Sequence, residues 1–237
     1  MAVYITGDTH GDFRDVTRFA VRMSLDRDDI IVILGDVGLN FYLDRRDYWG
    51  KLKLGMTAPT YFCIHGNHEC RTKHIKGYQT KEWNGGLVDY EPGYPNILFA
   101  HDGEVYNLPS KDGTTHKVIV CGGAYSVDTE YRIERGIPWF KDEQPDDETK
   151  KKVEDKLESL NWEVDDVFTH TAPKNFEPTE LFLPSIDQSK VDKTTENWLQ
   201  SIYDQIKYNG TWYFGHYHGD KHINDKMIML FNSFEML

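Results

Sequence analysis

Gly7-Asp8-Thr9-His10-Gly11-Asp12 sets a carboxylate and an imidazole two residues apart, and Gly215-His216-Tyr217-His218 sets two imidazoles at the same spacing. In extended backbone alternate side chains point to the same side, so either pair can reach one ion. Gly35-Asp36 and Gly66-Asn67-His68-Glu69 add a carboxylate, an amide oxygen and a further imidazole, each beside a glycine that lets backbone approach closely. A lone Asp-x-His or His-x-His is more often a solvated surface pair than a metal site. Several in one chain, all of ligand type, point to metal chemistry.

Something must bring these scattered positions together. Short apolar runs rich in β-branched residues recur at Val3 to Thr6, Ile30 to Leu34, Thr60 to Ile64, Lys117 to Cys121, Asp166 to Thr169, Thr211 to Phe214 and Met227 to Phe231, and each reads as a buried strand. Helical spacing puts Phe13, Val16, Ala20 and Met23 on one face, Val153, Leu157 and Leu160 on another, and Trp198, Ile202 and Ile206 on a third. Strands and helices alternate, so the fold class is α/β. Asp8, His10, Asp36, Asn67, His68, His170, His216 and His218 all fall just after an expected strand. In open α/β sheets the crevice beyond the carboxyl ends of the strands is where ligands bind. The charged stretch from Lys141 to Lys156 reads as a surface helix, and Pro173 to Ser189 as a loop.

In order along the chain, Asp8-x-His10, Gly35-Asp36, Gly66-Asn67-His68-Glu69, the lone His170 at the end of Val167-Phe168-Thr169, and Gly215-His216-x-His218 resemble the calcineurin-like metallophosphoesterase superfamily. The motifs extend from Asp8 to His218, and Cys121 to Asp128 is similar to a stretch of uncharacterised prokaryotic members. The resemblance implies two packed mixed β-sheets flanked by helices, a four-layer sandwich. It also implies a binuclear centre, with Asp8, His10, Asp36 and His218 holding one ion, Asn67, His170, His216 and Asp36 the other, and Asp36 bridging them. Oxygen and imidazole ligands together suit two divalent transition metal ions, Mn2+ first and Fe or Zn as alternatives, better than a pure Mg or Ca site. Such a pair clamps phosphoryl oxygens and generates a metal-bridging hydroxide at neutral pH. In the family the histidine at the His68 position faces the leaving oxygen, the place of a general acid. Glu69, Asp12 and Asn40 are candidates for orienting ligands; His65, His74, His101, His116 and His222 match no motif and receive no role.

The Gly-Asp-x-His-Gly and Gly-Asn-His-Glu forms also resemble serine/threonine phosphoprotein phosphatases. That branch carries an Asp-Arg-Gly soon after its second Asp, whereas Asp36 is followed by Val37-Gly38-Leu39-Asn40, with Asp44-Arg45 coming later. Arg132 and Arg135 are candidates to grip a phosphate, and Tyr125, Tyr131 and Trp139 to stack on a base or cover the cleft; a surface loop held by ordinary aromatic packing is the alternative.

The whole chain bounds the partners. With 237 residues and 39% hydrophobic, it suits one domain over 1–237. A net charge of -12 disfavours long duplex nucleic acid. Cys63, Cys70 and Cys121 read as reduced core thiols, and the opening residues show no leader, so a cytoplasmic setting without a membrane anchor is expected. The expected function is a phosphoesterase acting on a small phosphate ester, a nucleotide or a phosphoprotein. Monoesterase and diesterase, the latter on nucleotides or RNA ends, both remain open, as does a protein-binding module on the same scaffold.

Overall fold

The computed structural model describes residues 1–237. Its strands are β1 (Val3–Thr6), β2 (Ile30–Ile33), β3 (Thr60–Cys63), β4 (Gln79–Trp83), β5 (Gly86–Tyr90), β6 (Ile97–Ala100), β7 (Val105–Pro109), β8 (Thr115–Cys121), β9 (Glu163–Val164), β10 (Asp166–Thr169), β11 (Lys207–Tyr208), β12 (Trp212–Phe214), β13 (Lys221–Asn224), β14 (Met227–Met229) and β15 (Glu235–Met236). The helices are α1 (Arg14–Arg22), α2 (Arg45–Gly55), α3 (Thr129–Arg135), α4 (Asp147–Ser159) and α5 (Thr194–Tyr203).

One sheet runs β15-β1-β2-β3-β6-β5-β4 and the other β13-β14-β12-β10-β8-β7, while β9 and β11 pair by themselves. The centres of both are parallel: β1, β2, β3 and β6 in the first, and β14, β12, β10 and β8 in the second. The outer strands pair antiparallel.

Side-chain alternation assembles the layers. Val3, Ile5, Ile30, Val32 and Phe62 point inward and meet Val118, Val120, Phe168, Tyr213 and Ile228 of the second sheet in one core. Their neighbours Tyr4, Ile31, Ile33, Tyr61 and Cys63 point the other way, onto Phe13, Val16, Phe19, Ala20 and Leu54 from α1, α2 and the turn before α1. On the far side Ile119, Val167, Trp212 and Phe214 pack against Val153, Leu157, Trp198, Leu199 and Ile202 of α4 and α5. A strand buried on both faces must be apolar at every position, which is why these runs read as continuous. The result is the expected helix, sheet, sheet, helix sandwich. Trp212 is fully buried and satisfies its indole by donating from Nε1 to Thr169 Oγ1 at 2.9 Å, tying β12 to β10.

One expected core position is corrected. Phe13, Val16 and Ala20 are buried, but Met23 is 43% exposed, because α1 ends at Arg22 and Met23 lies past its last turn. The surface helix expected within Lys141 to Lys156 is α4, which starts at Asp147 under the cap of Asp146. All three cysteines are buried and unpaired. No helix is long and apolar enough to cross a membrane.

Candidate metal centre

Because the central strands are parallel, their carboxyl ends open at one edge of each sheet, and the two edges face one another. The turn after β1 carries Asp8 and His10, that after β2 Asp36, and that after β3 Asn67 and His68. The turn after β10 carries His170, and that after β12 His216 and His218. Four of these residues hold left-handed backbone: His10 at φ 46, Asp36 at φ 46, His216 at φ 69 and His218 at φ 51. A non-glycine residue there costs roughly 1 to 3 kcal/mol and persists only where its surroundings enforce it. The enforcement is visible at Asp36, whose carbonyl accepts from both Thr9 N (3.2 Å) and His10 N (2.7 Å), locking two ligand turns together. Gly66 is required by close approach: a Cβ on it would stand 2.1 Å from Asp36 Oδ1.

The seven expected ligands converge on two sides of Asp36, and Asp8, of the first side, also comes within 4.8 Å of Asp36 and His170. On the first side, His10 Nε2 and His218 Nε2 are 2.9 Å apart, and Asp8 Oδ2 lies 3.8 Å from the former and 3.4 Å from the latter. Asp36 Oδ2 lies 3.8 Å from His10 Nε2. On the second, Asn67 Oδ1 faces His170 Nε2 at 2.8 Å and His216 Nδ1 at 3.1 Å, and Asp36 Oδ1 is 3.5 Å from His170 Nε2. Burial alone would raise the pKa of Asp36, but the facing rings of His170, His68 and His10 outweigh it and hold the carboxyl below its usual range. His216 is pushed well below the ordinary imidazole range by burial and then by His170, so it presents a neutral ring.

Two observations test whether these residues fit a cation. Asp8 Oδ2 is buried with no hydrogen-bond partner, a costly state for a carboxylate oxygen unless something positive meets it. His170, fully buried, must donate from Nδ1 to the Leu34 carbonyl (2.7 Å), since a carbonyl can only accept. Its Nε2 faces the oxygen of Asn67 at 2.8 Å; as a lone pair, the form a metal ligand takes, it would share a cation with that oxygen, and as N–H it would donate to it. The donor set fits divalent metal.

The orientation of Asn67 is itself enforced. Its Nδ2 donates to Ser126 Oγ at 2.9 Å, while Ser126 donates that hydroxyl to Glu143 Oε2 at 2.6 Å and accepts from Arg132 Nη1 at 2.9 Å. With its only proton committed to Glu143, Ser126 can take Asn67 by the amide nitrogen alone, which aims Oδ1 at the centre. This corrects the expected role of Arg132. At 1% exposed, with Nε donating to the Pro138 carbonyl (3.0 Å), it braces the ligand from behind and cannot reach a substrate arriving from solvent. Arg135 is exposed, lies near the Tyr131 ring, and does not line the cavity over the centre. Ser126→Ala is expected to weaken metal binding about 10- to 100-fold, and Ser126→Thr to keep it; a Mn titration of both variants checks this.

That cavity, about 460 Å³, opens over Asp36, Asn67, His68, His216 and His218. His68 donates its backbone N–H to Asp36 Oδ1 (2.7 Å) and stacks its ring near Phe41. Burial, Arg132 and His10 lower its pKa against the opposing pull of Asp36. His10, Asp36 and His68 also bring ligand atoms within 4.8 Å of one another, so a ligand role for His68 is geometrically open. Of the remaining candidates, Glu69 is buried and accepts from Gly66 N at 2.7 Å, pinning the Asn67 turn; burial, then Asp36, pushes its carboxyl up to about 8. Asp12 turns to solvent with Arg14, and Asn40 accepts from the Tyr78 hydroxyl (2.9 Å) while its buried Nδ2 has no partner. Asp44-Arg45 begins α2, with Asp44 as its cap, and does not form the phosphate-binding element of the phosphoprotein phosphatases. His74, His116 and His222 pair with Asp142, Asp166 and Glu235 away from the centre. Tyr125 lines the cavity; Tyr131 and Trp139 do not. Ser126 and Glu143 escape sequence reasoning, because nothing there marks a serine and a glutamate 17 apart as partners.

Residues 1–220 match the model of the family described as calcineurin-like phosphoesterase. None of the curated proteins matches the chain. Among solved structures it is similar to the crystal structure of TT1561 of Thermus thermophilus, with 11% identity and a TM-score of 0.53 over 99% of this chain and 97% of that one. At that identity the likeness speaks for the fold.

Proposed function

The chain belongs to the calcineurin-like phosphoesterase family and is therefore a metal-dependent phosphoester hydrolase, and we propose that it works with two divalent ions, Mn2+ before Fe or Zn. Asp8, His10, Asp36 and His218 would hold one, and Asp36, Asn67, His170 and His216 the other. The observation that carries this reading is that Asp36 turns one carboxylate oxygen to His10 and the other to His170, on the two sides of the ligand cluster. Bound there, the ions would supply an activated water and neutralise the phosphoryl oxygens.

The chain's own groups do the rest. Asp36 and the Asn67 amide, locked by Ser126, keep the two groups in register. His68, on the cavity wall beside them, would serve as general acid to the leaving oxygen or stabilise its developing charge. The buried unpaired thiols support a reducing, cytoplasmic setting. Substrates are small phosphate esters, nucleotides or phosphoproteins rather than long duplex nucleic acid, in keeping with the net charge of -12. The completeness of the ligand set argues against a purely protein-binding module.

The test is hydrolysis of para-nitrophenyl phosphate and bis-para-nitrophenyl phosphate by Mn-reconstituted protein. Turnover of at least one is expected; silence on both with metal bound would contradict the hydrolytic reading.

A further inference from the structure

The cavity over the centre is short of positive charge and rich in apolar surface. Of its lining residues Asp36, Asp128 and Glu196 are acids, and Lys193 is the one Lys or Arg. Lys193 Nζ already donates to Glu177 Oε1 at 2.5 Å and sits over the Phe182 ring. Arg132 is sealed beneath the site. A phosphomonoester brings up to two negative charges and gains from cationic partners beside the metals, whereas a diester brings one. This lining suits the single charge.

The apolar side is a wall of Val127, Leu181, Phe182, Leu183, Ile186 and Val191. Val127, Leu181 and Leu183 are 40%, 42% and 58% exposed, so this surface faces the opening instead of a core. It is seated on the ligand turn itself. Phe182 stacks on Tyr217, which lies between His216 and His218, with ring centroids 6.2 Å apart. Leu181 fills the space left by Gly219, where a Cβ would stand 2.6 Å from its Cδ1. The Phe182 ring is engaged by Tyr217 and by Lys193, and the other apolar residues of the wall are aliphatic. Exposed apolar surface lining a cleft beside polar reacting groups marks a ligand site.

We propose that the centre takes a monoanionic phosphodiester, one arm of which is an apolar group lying along the wall from Val127 to Leu183. The inference rests on the hydrolytic reading above and names its substrate class. In the reaction one water is consumed: its oxygen bonds to phosphorus, the P–O bond to the leaving alcohol breaks, and the products are the apolar arm's phosphate monoester and the protonated alcohol.

Methyl para-nitrophenyl phosphate and hexyl para-nitrophenyl phosphate share a leaving group and differ in the retained arm, so they isolate the wall. A fully buried methylene is worth about fourfold, and half-burial about twofold, so the hexyl ester is expected to exceed the methyl ester in kcat/KM by about thirtyfold. Leu183→Asp or Val127→Asp, at exposed positions, is expected to cut that ratio to about fivefold or less. Calorimetric binding of methyl hexyl phosphate against dimethyl phosphate, neither with a good leaving group, should show the same preference without turnover. Equal rates for the methyl and hexyl diesters would overturn the apolar arm and leave hydrolysis standing. Preference for para-nitrophenyl phosphate over both diesters would overturn the charge argument. Silence on every ester by metal-loaded protein would overturn the hydrolytic reading and this inference with it.

Discussion

Asp36→Asn is expected to lower kcat/KM by about 10³-fold or more and to release at least one of two bound ions. Its two carboxylate oxygens divide between the ligand groups, Oδ2 lying 3.8 Å from His10 Nε2 and Oδ1 3.5 Å from His170 Nε2. Asp8 also comes within 4.8 Å of both the His10–His218 and the Asp36–His170 sides, but its Oδ1 already accepts from His216 N at 3.0 Å. An amide keeps the size and one acceptor oxygen, so the backbone bond from His68 N can survive and the fold with it. What is lost is the charge, and with it one ligand bond to an ion. The contribution of such a pair to the transition state is several kcal/mol, or about three powers of ten and more in rate. Turnover and metal content measured together on the same preparation check it; wild-type activity in the variant would end the bridging role.

His68→Asn should behave differently, with full metal content and a fall in kcat of about 10²- to 10⁴-fold, the range in which positioned acids and bases contribute. His68 lines the cavity beside the ligands, and its ring packs near Phe41 and His10. The opposing outcome is equally definite. If the variant loses metal, the grouping of His68 with His10 and Asp36 reflects ligation, and the proton donor must be sought elsewhere. Asp128, which lines the same cavity, would be the first place to look.

The ligand positions are legible in the sequence because the signal is local. Each follows an apolar run buried on both faces, and those runs match β1, β2, β3, β10 and β12 to within a residue. The partners of the ligands are not legible. Arg132 reads as a cation to grip a phosphate or as part of a surface loop, and only the meeting of Ser126, Glu143 and Phe41 around it makes it a buried brace. The hairpin of β4 and β5 escapes a search for apolar runs because Gln79–Trp83 is polar and largely exposed. Its turn, Asn84-Gly85, with both residues at positive φ, is a readable signal. Helix α2 hides for another reason: it buries Asp47, Lys51 and Leu54, which is no apolar stripe. The stretch from Pro173 to Ser189 reads correctly as irregular chain carrying short 3₁₀ turns, but its leucines and phenylalanine gain meaning only where it folds over His216 and His218.

The number of bound ions decides whether Asp36 is shared. Metal-free protein loaded with Mn, freed of excess and analysed by atomic emission should carry about two ions per chain, with Asp36→Asn carrying one or none. One ion or none in the wild-type chain would contradict the shared role of Asp36 and the two-ion reading built on it.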